Sequence, residues 1–401
     1  MEYNLQQKLE QHGLTRWCRV VESDIPTVEL TTSDPNEIKL AVSRINGKID
    51  GDKRIIISSQ LILEDSGDVG WNYSNCEFKK EVSFKKSQFV QPCYFNKCIF
   101  HETADFTDCK FNGNVRFHKA TFIKSPRFTN STFTQLVDFY FSEFQADMQF
   151  HLTDFEATAI FSNVQFQEPV QFLHNKVLSN SYLSFENAFF RKGLDLSRSN
   201  FWCTIQFWGT SFGNDAIELS RKSELFKTDN HESLEQVGEI GALTRLRETF
   251  RIIKNNMSST GNHIEARNYH RLELSTYSRE LSLTSWNQRL DEKVLLCLNK
   301  ISNNHGLSWW QGFKFTSSLT FIFYLIYLII ISPELEFAFT WKAFGYTLKH
   351  YVELLNLTFW DYKPFGIDNE PWGFIFLFIS RIFISYGYYQ LIQSFRKFGK
   401  N

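Results

Sequence analysis

At 401 residues with 43% hydrophobic side chains, the chain is long enough for two or three domains and carries ample material for a core. Its formal net charge of −1 excludes the strong single-sign field by which a protein binds nucleic acid wholesale or imitates it. Phenylalanine, at 42 copies, is abundant enough that its placement has to be read before anything else.

The start, Met1-Glu-Tyr-Asn-Leu-Gln-Gln-Lys8, is polar and has no apolar core of a secretory leader, so the bulk of the chain is expected in the cytoplasm. An amphipathic helix is expected around Leu5 to Val21, followed by mixed structure with turns at Asn46-Gly47 and Asp50-Gly51. The run from Arg54 to Glu64 has strand character. Residues 1–70 are therefore assigned as a cap, because the open end of a stacked β-structure exposes unpaired backbone groups.

From Cys76 onward phenylalanine returns on a fixed schedule: Phe78, Phe84, Phe89, Phe95, Phe100, Phe106, Phe111, Phe117, Phe122, Phe128, Phe133, Phe139, Phe144, Phe150, Phe155, Phe161, Phe166 and Phe172. The steps alternate six and five, so the repeat is eleven residues. Two positions before each phenylalanine stands a mostly small or β-branched residue, such as Cys76, Val82, Ser87 or Cys93. In a strand, residues two apart share a face, so both point inward. Steps of five and six make no stripe on a helix, and very short strands joined by corners are the alternative.

These residues resemble the pentapeptide-repeat proteins, whose unit has a central Leu or Phe with a small residue two before it. The resemblance implies a right-handed, four-sided β-helix with one unit per side. Two eleven-residue blocks then make one coil, so Phe78, Phe100, Phe122, Phe144 and Phe166 form one column and Phe84, Phe106, Phe128, Phe150 and Phe172 another. The extra residue of each six-residue unit reads as a looser corner. After Val177 and Leu183, which are given the next central places, the series Phe185, Phe190, Leu196, Phe201, Phe207, Phe212 is offset by two; a bulge near His174 to Tyr182 is expected to absorb the offset without turning the core outward. About six coils result, over residues 71–215.

Cys76, Cys93, Cys98 and Cys109 all fall on the inward small position and read as buried structural thiols rather than a metal site. Charge along the repeat is uneven. Lys79 to Arg127 holds ten Lys or Arg against four acids, whereas Phe128 to Asn175 holds six acids and no Lys or Arg. That polarity suggests a docking surface for a partner or for the opposite end of another copy, and its basic half argues against nucleic-acid mimicry.

Beyond Phe212, Ser233-x-x-Gln236 reads as a capping box, and Leu243, Leu246, Phe250 and Ile253 recur at helical spacing. A second helix is expected from about His263 to Leu283. The pair resembles the helical hairpin of membrane-tethered bacterial pentapeptide-repeat proteins, and 216–312 is assigned to it with its linker. His263, Glu265, His270 and Glu273 read as a solvated polar face. No phosphate loop, nucleophile elbow or metal pair stands out, so neither an enzyme, a cofactor nor a metal is predicted.

The remainder, 313–401, is membrane material with spans at about 315–332 and 372–395, flanked by Trp309-Trp310 and Lys314 on one side. Lys and Arg before the first run and after the second suggest that both termini lie in the cytoplasm, and the resemblance implies a cell membrane of bacterial inner-membrane type. An amphipathic segment from about Phe339 to Phe359 is expected to lie on the membrane or re-enter it. Arg381 lies about 13.5 Å into the second run, near the middle of a hydrocarbon core about 30 Å thick. It reads as a functional cation, lining a pore or pairing with Glu353.

Two functions fit. One is a membrane-anchored scaffold or sensor whose cytoplasmic β-helix binds a protein partner or another copy of itself. The other is an oligomeric two-span channel or pore-forming effector gated by the β-helix. A potassium filter would need a second glycine in Lys363-Pro-Phe-Gly-Ile-Asp368, and only one is present. The partners expected are the lipid bilayer, a macromolecule and further copies in a homo-oligomer.

Overall fold

The computed structural model describes residues 2–49, 51–68, 70–178, 180–201, 203–213, 239–331, 340–366 and 371–395. The capping box at Ser233, the end of the Lys363–Asp368 motif and the Lys and Arg beyond Phe395 lie outside them. The chain forms two compact units, Met1–Asn256 and Met257–Asn401.

In the first unit, helix α1 (Glu2–Gln11) ends where the expected helix was to continue, and Cys18–Val21 is strand β1, antiparallel to β2 (Thr27–Leu30). The β-branched pair Val20-Val21 favours the strand. Helix α2 (Pro35–Lys48) was not anticipated, and Asn46-Gly47 falls in its last turn rather than in a bend. Its start is well specified: the Asp34 carboxylate accepts from Asn36 N and Glu37 N at 2.9 and 3.0 Å, and Pro35 holds the first helical position. The helix buries Ile38, Ala41, Val42 and Ile45, and Asn46 Nδ2 donates to Ser74 O at 2.9 Å just below the first coil. Strand β3 (Arg54–Ile57) pairs in parallel with β2 and with Cys76–Phe78, so the cap continues one side of the solenoid.

Residues 76–212 wind as a four-sided β-solenoid in which the step between coils is 22 residues: Phe78 pairs in register with Phe100, Phe122 with Phe144, and Phe111 with Phe133. One side carries seven stacked phenylalanines, from Phe78 through Phe190 to Phe212, giving about seven coils against the six expected. Within that column the rings of Phe100, Phe122 and Phe144 follow one another at 4.8 Å, the spacing of hydrogen-bonded strands. All eighteen phenylalanines of the regular series are at most 1% exposed.

The offset is taken up between Val177 and Leu183: Phe155 still pairs with Val177 after 22 residues, but Phe161 stacks on Phe185 after 24. Leu183 therefore differs from its expected place. It lies over Ala159 at a small position, and Phe185 takes the central one. Before that point, Val170–Val177 runs as one strand through a corner, with register shifts against Leu194–Phe201.

Corner chemistry also departs from the sequence reading. Every eleventh residue from Asn75 to His174, including Lys86, Lys97, Lys119, Phe141 and Leu152, has a φ of 50–64°. These residues sit in the five-residue units, so the short corner closes by a left-handed residue and the six-residue corner does without one. Left-handed backbone costs a non-glycine residue about 1–2 kcal/mol. The cost is offset by ladder bonds formed at the same residues, such as Lys97 N to His118 O at 2.7 Å and Lys119 N to Tyr140 O at 2.9 Å.

The far end is covered by helix α3 (Glu239–Ser259), assigned from sequence to a separate hairpin. It buries Leu243, Phe250 and Ile253, sets Phe250 edge-on to Phe212 at 5.6 Å, and its Thr249 Oγ1 accepts from Leu196 N at 3.0 Å.

The second unit holds α4 (His263–Ser282), α5 (Leu290–Asn303), α6 (Trp309–Ile331), α7 (Trp341–Leu355), a 3-10 turn (Pro364–Gly366) and α8 (Pro371–Phe395). Helices α6 and α8 are long and apolar enough to cross a membrane. They approach closely at small residues: a Cβ on Gly387 would lie 2.7 Å from Thr316 Oγ1, and one on Gly312 would lie 3.2 Å from Leu391 Cα.

Candidate functional site

In the solenoid several of the inward small residues, the Cys, Ser, Thr and Asn among them, are hydrogen-bond donors as well as space savers. Cys109 Sγ donates to Phe84 O at 2.9 Å, Ser131 Oγ to Phe106 O at 2.6 Å, Thr153 Oγ1 to Phe128 O at 2.8 Å and Asn175 Nδ2 to Phe150 O at 2.9 Å, one above another. Burial pushes the Cys93 and Cys109 thiols up to about 12, so they stay protonated and unreactive. Among the described residues no three His, Cys, Asp or Glu converge as metal ligands.

The charge polarity seen in sequence is partly consumed by pairs between coils. Asp138 lies against His118 at 2.5 Å, Glu168 takes Lys192, and Lys97 reaches Asp52. Glu77, 8% exposed at its side chain, is held by Lys79, by His101 at 2.8 Å and by Arg54 at 3.6 Å. Burial works to raise its pKa, but the bonds from Lys79 and His101 and the charges of Lys79 and Arg54 outweigh it and hold it below the usual glutamate value. The exposed cations Lys86, Lys110, Lys119 and Lys124 remain on the early coils, and Glu156 is exposed on a later one.

Polar chemistry in the second unit gathers around α7. Tyr324 OH donates to Thr347 O and Tyr351 OH to Ser317 O, both at 3.0 Å, so α7 runs antiparallel to α6 and descends alongside it. Ser317 is eight residues, about 12 Å, into α6. The C-terminus of α7 thus ends well along α6, a candidate span, and its last carbonyls have no helical partner.

Arg381, 4% exposed, meets one of them: Nη1 donates to Leu354 O, while Nη2 donates to Phe359 O, past the helix end, at 2.7 Å. Tyr388 OH takes Leu355 O at 3.2 Å, and Tyr362 OH takes His350 O at 3.1 Å. His350 Nε2 accepts from Phe365 N at 3.0 Å and ties the returning strand. Non-helical backbone at membrane depth is stable only when satisfied in this way, and a cation suits the negative end of a helix. The guanidinium therefore caps a half-helix within its own protomer. Glu353, the partner weighed from sequence, lies instead against His350 at 2.8 Å and Lys349 at 3.6 Å. Sequence could not show the Arg381 contacts, because carbonyl acceptors occur at every residue and leave no mark.

At the other end of the spans, Trp309, Trp310 and Phe395 form an aromatic group with Trp309 and Phe395 rings 5.7 Å apart. Helix α5 is fixed there by Asn303 Nδ2 to Gln390 Oε1 at 2.6 Å and Gln390 Nε2 to Asn299 Oδ1 at 3.0 Å. It leaves Leu290, Val294, Leu295, Leu298 and Ile301 exposed. That is the amphipathic form of a helix lying in a membrane interface.

Residues 73–121 match the family model described as Pentapeptide repeats (9 copies). No curated protein and no solved structure matches the chain. The match covers the first coils of the solenoid.

Proposed function

We propose that this chain, a pentapeptide-repeat solenoid followed by two apolar helices, is a membrane-anchored scaffold. Its β-helix offers its flank to a macromolecular partner, and both termini lie in the cytoplasm. The observation that carries this reading is the sealing of the solenoid. Among the described residues, phenylalanine rings fill its interior and α2 and α3 cover its two ends, which leaves the lateral sides for recognition, with Lys86 and Lys110 at one and Lys119 and Lys124 at the opposite one. The covered ends also count against joining copies end to end. In the second unit, α6 and α8 supply the anchor, and the exposed apolar side of α5 rests on the cytoplasmic surface of the bilayer.

The test has two arms. The chain should resist alkaline carbonate extraction, with a reporter fused after Asn401 reading cytoplasmic and one inserted at Asp368 reading external. Capture of membrane-free lysate proteins by the full chain should change when the four lysines are reversed to glutamate. A cytoplasmic signal at Asp368 would refute the two-span anchor, and an identical capture profile would refute the scaffold surface.

A second reading, an oligomeric pore, is favoured by one feature: the half-helix α7 lies between two spans and keeps charged side chains on an outer flank.

A further inference from the structure

Helix α7 has three flanks. Ala343, Thr347, His350 and Leu354 face its own unit, where His350 and Leu354 are buried. Trp341, Phe344, Leu348 and Val352 form a second, exposed and apolar flank, suited to lipid. The third carries Lys342, Tyr346, Lys349 and Glu353 at successive four-, three- and four-residue steps. Side-chain exposure is 60% at Lys349 and 26% at Glu353, and the bonds of neighbouring Leu354 and Tyr351 to Arg381 and Ser317 set this stripe inside the spans.

An ammonium and a carboxylate cannot rest against acyl chains at that depth. Lys and Glu inside a membrane normally face protein or water and pair with one another. We infer that a second copy of this chain covers the Lys342–Tyr346–Lys349–Glu353 flank of α7, so that the membrane unit assembles around this stripe. Both signs are present at one helical turn's separation, Lys349 Nζ and Glu353 Oε1 being 3.6 Å apart. The same stripe on a neighbouring copy is therefore complementary: each Lys349 can exchange its intrachain partner for the Glu353 of the next copy. Arg381 lies away from this stripe, with Nη1 and Nη2 donating to Leu354 O and Phe359 O of its own chain.

This inference rests on the reading of α6 and α8 as spans, and its test separates the two. The full chain, reconstituted in phosphatidylcholine vesicles at high lipid-to-protein ratio, is counted by single-molecule photobleaching while its topology is checked with the Asp368 reporter. The expected result is a fixed copy number of two or more, falling to one in Lys349→Glu, where the stripe carries only acids at its deep end. The number should return when Lys349→Glu chains are mixed with Glu353→Lys chains, whose like-charged stripes can pair only across copies, a recovery that damage within α7 would not give. A single copy in the wild type with insertion intact overturns the inference and leaves the anchor standing. An assembly indifferent to Lys349→Glu also overturns it, placing the contact elsewhere. A reporter showing that the spans do not insert removes the anchor reading and this inference with it.

Discussion

Replacing Arg381 by methionine sets two opposed effects against each other. The arginine costs about 2.5–3.5 kcal/mol to place in the middle of a span, so the substitution eases insertion of α8 by that amount. It also strips the donors from Leu354 O and Phe359 O. A buried carbonyl left unsatisfied costs about 1–3 kcal/mol, so the pair costs about 2–6 kcal/mol. The two numbers act on different structures, which makes them separable. Insertion is a property of α8 alone, whereas the lost bonds fall on the end of α7 and the strand that returns from it.

The expected outcome is normal or improved membrane insertion together with faster backbone hydrogen exchange over residues 347–366, by a factor of about 30 or more for a loss above 2 kcal/mol. Arg381→Lys should fall between, since one ammonium on a flexible stem cannot span both carbonyls as the fork does. Hydrogen–deuterium exchange with mass spectrometry on the detergent-solubilised chain reads this directly. Unchanged exchange over 347–366 in Arg381→Met, with insertion confirmed, would refute the capping role and return Arg381 to the set of candidate pore cations.

Four further outcomes are expected. Phe122→Asp should lower the melting temperature of the solenoid far more than Lys124→Asp, because it opens a ring column stacked at 4.8 Å and buries an unpaired carboxylate at a cost of several kcal/mol; equal melting by circular dichroism would mean the register is wrong. Leu152→Asn should raise stability by about 0.5–1 kcal/mol, since Leu152 holds a φ of 50° at an exposed corner where asparagine is less strained; a loss in urea titration contradicts this. Glu77, whose pKa is depressed in the fold, contributes stability that is present above its unfolded value and lost as pH falls through the folded one, so Glu77→Gln should flatten the acid limb of the stability–pH curve. Under native conditions iodoacetamide should modify exposed Cys297 long before Cys93, Cys98 or Cys109, as peptide mass mapping would show.

The solenoid was legible because its period is written in single residues: a phenylalanine at nearly every central position, with a small or β-branched residue two before it. Corners were less so. The eleven-residue repeat is visible, but which unit takes the left-handed residue is decided by ladder geometry, and Lys97 or Leu152 gives no sign of it. Helix α2 was missed because Asn46-Gly47 resembles a turn, although Asp34-Pro35 with Glu37 marked the start that the structure uses. Helix α3 was found, but not what it packs against. Its apolar face is equally suited to a hairpin partner or to the end of the solenoid, and only Phe212 and Leu196 decide the matter.

What unites the readable and unreadable parts is where backbone carbonyls find their donors. Along one column of the solenoid the donor returns every 22 residues, so Cys109, Ser131, Thr153 and Asn175 share one register although their chemistry differs. In the membrane unit the same requirement is met once, at the end of one half-helix, by Arg381, Tyr388 and Tyr362 drawn from distant parts of the sequence. Repetition converts a structural need into a sequence pattern; a single solution leaves only an anomaly, here a charge in an apolar run. The anomaly marked Arg381. Its partners follow from the depth at which α7 ends, because there the exposed carbonyls of a helix terminus and an unpaired guanidinium are each costly, and together they cancel most of what either would cost alone.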